Sequence, residues 1–130
     1  MPKVISPGMH ALLDYAMVGA TTAVAVSLWK KNKVASISAM LTAAAIGTNV
    51  MLTDMPGGIF KVISFPTHGR IDLGTVGMCA SLPGLMRFSG EPGSRFFHMQ
   101  AVAIGGVASM TDFTGTGEND QKEQIENSRA

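Results

Sequence analysis

Lys3-Val4-Ile5-Ser6 and Lys61-Val62-Ile63-Ser64 are one tetrapeptide written twice, 58 residues apart, and the residues after each copy match in outline. His10 answers to His68, Asp14 to Asp72, Val18-Gly19 to Val76-Gly77, Ile46-Gly47 to Ile104-Gly105, and Thr53-Asp54 to Thr111-Asp112. Laid over one another without a gap, 3–58 and 61–116 share 16 identities in 56 pairs. Composition alone would give roughly four or five. Self-similarity at a fixed period marks two copies of one structural unit. The fold is therefore expected to be one unit used twice.

Each unit reads as two apolar blocks. Residues 9–29 hold one formal charge, Asp14, before Lys30, Lys31 and Lys33, and residues 34–53 hold none. Twenty helical residues at about 1.5 Å each span about 30 Å, the thickness of a hydrocarbon core. Asp54-Met55-Pro56-Gly57-Gly58 then stops the second block, since Pro and paired Gly punctuate strongly. The second copy repeats the plan, with an apolar 67–88 that carries Arg70, Asp72 and a kinking Pro83, a loop at 89–93 and an apolar 95–112. A soluble bundle is the alternative, but the second block lacks the polar face of a surface helix. The expected fold is all-α, a four-helix transmembrane bundle built from two tandem two-helix repeats over 1–112. The polar tail, 113–130, has too little apolar surface to fold and is expected to be disordered.

Composition agrees with a membrane domain. Of 130 residues 46% are hydrophobic and 15% charged, against about 25% charged in an ordinary soluble domain. The net charge of +1 leaves no strongly basic face, so a nucleic-acid partner is not expected. Cys79 is the one cysteine, so no disulfide forms within the chain. Ala23-Val24-Ala25 resembles a signal cleavage site, but His10 and Asp14 interrupt the apolar run before it, and no cleavage is expected.

Small residues recur every fourth position at Ala35, Ala39, Ala43 and Gly47, and again at Ala101, Gly105 and Ser109. Such ladders let helix backbones approach closely in lipid. They are expected at the bundle centre or between subunits. The partners anticipated are thus the lipid bilayer and a second copy or another membrane protein. Lys30, Lys31, Lys33, Arg87 and Arg95 flank the loops at one end, and Lys3, Lys61 and Arg70 lie at the other. The larger group is expected in the cytoplasm, with both termini outside.

The duplicated polar residues are the candidate site. His10 and Asp14 are four apart and share a helix face, as do His68 and Asp72, while Asp54 and Asp112 end the second and fourth blocks. All six are expected at one membrane surface, related by a pseudo-two-fold axis along the membrane normal. Ionisable groups in a transmembrane segment are costly and mark function by default. Three readings stay open: a structural clamp, a divalent metal site using imidazole and carboxylate ligands, and a proton relay. His98 offers one axial haem ligand, with no partner in the first copy, where Met40 stands. No phosphate loop, Cys pair or nucleophile–base pattern is present, so no catalysis and no resident cofactor are expected. A structural or interaction module leads, with metal binding or proton relay as the alternative.

Three segments carry a resemblance: Ser6 through Tyr15, Leu52 through Leu73 with its Thr53-Asp54 and His68–Asp72 block, and Met110-Thr111-Asp112-Phe113. Over about residues 5–113 the chain resembles small uncharacterised bacterial inner-membrane proteins related to the SPW-repeat group. The resemblance implies four spans in two repeats and a place in the bacterial inner membrane. It implies no activity.

Overall fold

Both copies start their first helix in the same way. The Ser6 hydroxyl accepts the Met9 N–H at 3.2 Å and the Ser64 hydroxyl accepts the Thr67 N–H at 3.3 Å. Each satisfies one of the amides that a helix start leaves unpaired. Pro7 and Pro66 occupy the first turns, where a missing N–H costs nothing. The computed structural model describes residues 2–113 and 125–129. Its long helices are α1 (Pro7–Leu28), α2 (Lys33–Leu52), α3 (Phe65–Leu85) and α4 (Ser94–Ser109). Pro83 stands in the last turn of α3, so it helps to end that helix, and its carbonyl accepts the Phe88 and Ser89 amides. The tail expected to be disordered falls mostly on 114–124 and 130, outside the described residues. Residues 125–129 form a short helix.

α1 packs along α2 and α3 along α4, and α2 meets α3 between the pairs. Ala35, Ala39 and Ala101 lie in the buried core with Ala25, Ile46 and Phe97. The small-residue ladders therefore face inward, and Gly47 and Gly105 lie opposite Val18 and Val76. Ser109, the last rung, is exposed.

Matched backbone contacts cross between the copies. The Ile5 N–H donates to the Met110 carbonyl at 2.9 Å beside an isolated Ile5–Thr111 bridge. The Asp54 N–H donates to the Ile63 carbonyl at 2.7 Å beside a Thr53–Ile63 bridge. Since Ile63 and Thr53 are the counterparts of Ile5 and Thr111, the lead of each copy is pinned to the end of the other. That pinning brings the starts of α1 and α3 and the ends of α2 and α4 to one end of the bundle. Two of the helices, α1 and α2, are long and apolar enough to cross a membrane, each with mean hydropathy 1.5.

Candidate metal centre

Four of the six candidate residues meet at that end. His10 and Asp14 face inward from the first two turns of α1, and His68 and Asp72 from α3, all of them buried. Nε2 of His10 lies 3.1 Å from Nε2 of His68. The cross-copy approaches are the shortest, 2.9 Å from His68 Nε2 to Asp14 Oδ2 and 3.0 Å from His10 Nε2 to Asp72 Oδ2. Within each helix the corresponding distances are 3.4 Å for His10–Asp14 and 3.3 Å for His68–Asp72. Each histidine thus reaches the other copy's aspartate more closely than its own.

The outer nitrogens fix the state of the rings. His68 Nδ1 lies 2.7 Å from Thr53 Oγ1, and His10 Nδ1 lies 2.9 Å from Thr111 Oγ1. A threonine hydroxyl has one proton. Thr53 donates its proton to the Asn49 carbonyl and Thr111 donates its own to the Val107 carbonyl, each one turn back. Both hydroxyls can therefore only accept from the imidazoles, which must carry hydrogen on Nδ1. In a neutral ring that leaves the lone pair on Nε2, aimed at the centre. Two imidazole lone pairs and two carboxylate oxygens then converge on one point.

That point has tetrahedral dimensions. Four ligands at bonds of about 2.0–2.1 Å stand about 3.3–3.4 Å apart along every edge of a tetrahedron. Five of the six edges here measure 2.9–3.4 Å. All four atoms lie within 4.8 Å of one another. No family model, curated protein or solved structure matches this chain. The chemistry of the centre is thus read from its own atoms.

The surroundings hold these groups in place. The Asn49 Nδ2 group donates to Asp72 Oδ1 at 3.2 Å and lies 3.4 Å from the His68 carbonyl. Asn49 corresponds to Val107 in the second copy, so the two aspartates are held differently. Asp14 Oδ2 is a buried acceptor without an aligned hydrogen bond, although it stands 2.9 Å from His68 Nε2. Phe65 and Phe113 close over the rings, with Phe113 5.3 Å from His10 and Phe65 5.6 Å from it, centroid to centroid.

The remaining candidates lie elsewhere. Asp54 is exposed in the turn after α2, and its amide rather than its carboxylate makes the link to Ile63. Asp112 is half-buried beyond α4 and is not one of the four converging residues. His98 is exposed on the first turns of α4, about 20 Å along the helix from the cluster end. The duplicated Thr-Asp pair does mark the site, but through its threonine, which touches the histidine, and not through its aspartate.

Proposed function

We propose that this protein is a non-catalytic, multi-pass membrane module in which one divalent metal ion clamps the two halves of a four-span bundle. The observation that carries the reading is the convergence of two carboxylate oxygens with two imidazole nitrogens whose Nε2 lone pairs the threonine hydroxyls direct inward. Protons alone are the competing arrangement. Two imidazoliums would also balance the two carboxylates, each Nε2–H reaching the other copy's aspartate at 2.9–3.0 Å, but they would crowd two N–H groups across the 3.1 Å gap. A single proton between them would leave two buried carboxylates sharing one positive charge, which costs free energy in a low dielectric. Two neutral imidazoles, two carboxylates and a divalent cation sum to zero.

The donor set favours zinc or a similar first-row ion in a four-coordinate site. Four protein ligands leave no open position for substrate, and that arrangement belongs to structural rather than catalytic metal sites. The threonines and Asn49 are the outer partners that such ligands need. Because the shortest approaches cross between copies, an ion here would hold α1 to α3. Their two halves otherwise meet mainly through α2 and α3.

The membrane part of the reading rests on where polarity sits. Histidine, aspartate, asparagine, glutamine and several threonines are buried, while Leu12, Leu41, Leu73 and Val102 are more than 60% exposed. An inside that is more polar than the outside suits lipid, where ionisable groups turn inward. The four spans, the inner-membrane location with termini outside and the kinship with the SPW-repeat group belong to this proposal. The test is metal analysis of protein extracted in mild detergent, with cobalt substitution to report coordination. One ion per chain and intense tetrahedral cobalt bands are expected, both absent from the His10→Ala/His68→Ala double variant. A folded protein that takes up neither zinc nor cobalt would return the cluster to a proton-bridged clamp.

A further inference from the structure

Phe113 lies where the centre comes nearest to the end of the bundle. Its ring stands 4.8 Å from Phe65, 5.3 Å from His10 and 6.5 Å from His68, and both phenylalanines are half-buried. Among the described residues, these two aromatic rings stand over the imidazoles on that side. On the opposite side lies the apolar core of Ala25, Ala39, Cys79 and Phe97, through which a hydrated ion cannot pass without losing its water.

The two rings are mounted differently. Phe65 is the first residue of α3. Phe113 stands outside any helix, two residues past Thr111. Its seat is Gly69: a Cβ placed there would come within 2.9 Å of Cγ and Cδ1 of the Phe113 ring. In the first copy the position of Gly69 is held by Ala11, and the position of Phe113 by Met55. The ring lies over the histidines because the second copy has given up one methyl group beneath it.

We propose that Phe113 is an aromatic gate over the metal centre, and that its opening sets the rate at which the ion exchanges with solvent at the end of the bundle where α1 and α3 begin. The inference rests on the metal reading above. It assigns the exchange path to one side chain that is not a ligand. Gly69→Ala is the sharpest probe, since it restores the other copy's residue, replaces no ligand and displaces the ring from below.

The experiment follows cobalt-loaded full-length protein in detergent after addition of excess EDTA, with the visible bands reporting loss of metal. Phe113→Ala and Gly69→Ala are expected to lose cobalt at least ten-fold faster than the unaltered chain, while starting from the same spectrum and one cobalt per chain. Phe113→Leu keeps an apolar cover and is expected to fall between; it carries the test if the alanine variant does not fold. Rates within two-fold of the unaltered protein in Gly69→Ala and either Phe113 variant overturn the gate while leaving the metal centre standing. An unaltered protein that takes up no cobalt overturns both.

Discussion

Thr53 and Thr111 do their work through a proton they cannot give. Each hydroxyl is committed to a carbonyl one turn back, so each accepts from its histidine and holds the Nε2 lone pair on the centre. Thr53→Val removes that acceptor and leaves a buried N–H unpaired. Metal affinity should fall about 10–100-fold, the usual effect of losing an outer partner, and Thr53→Ser should restore it in a chelator competition. Asn49→Ala acts on the other ligand type. It strips Asp72 Oδ1 of its donor, and unfolding in detergent should show a loss of about 1–3 kcal/mol. His10, Asp14, His68 and Asp72 are legible in the sequence because they recur in register. Asn49 is not, since Val107 stands at its counterpart and a residue used once leaves no periodic trace. Phe113 is hidden by its neighbours, which read together as a polar tail.

At the scale of elements, helix starts and stops follow from local chemistry: Ser with Pro at the beginnings of α1 and α3, and Pro with Gly after α2. What local chemistry does not show is the crossing of the copies, because the Ile5–Thr111 bridge joins residues that no short window contains together. The turn at 54–58 has the tightest requirement. A Cβ on Gly58 would stand 1.8 Å from the Thr53 carbonyl oxygen, so Gly58→Ala must shift the backbone of the residue that orients His68. Its cost should reach about 1–3 kcal/mol, the range for forced backbone strain. A thermal melt in detergent should show the lower stability, and cobalt-loaded protein should show altered bands. A melt unchanged from the parent would mean that the turn relaxes without moving Thr53.

For the whole molecule, the duplicated unit and the proposed four spans make a geometric demand. If α1 to α4 each cross the bilayer, the loop after α1 and the loop after α3 share one side, and the connection between α2 and α3 lies on the other. Asn32 and Ser89 stand in or beside the first two loops and Lys61 in the third. Cys79 is buried, so Cys79→Ala should give a background free of competing thiols. Asn32→Cys and Ser89→Cys should then resist a membrane-impermeant maleimide applied to intact cells and react once the cells are opened. Lys61→Cys should react from outside at once. The expected sign comes from the basic residues around the first two loops, which under the positive-inside rule would hold those loops in the cytoplasm. Labelling with all three signs reversed would keep four spans and invert the bundle. Labelling of Asn32→Cys and Ser89→Cys from opposite sides would break the equivalence of the two halves, and with it the proposed four-span arrangement and the proposed place of the metal centre at one membrane surface.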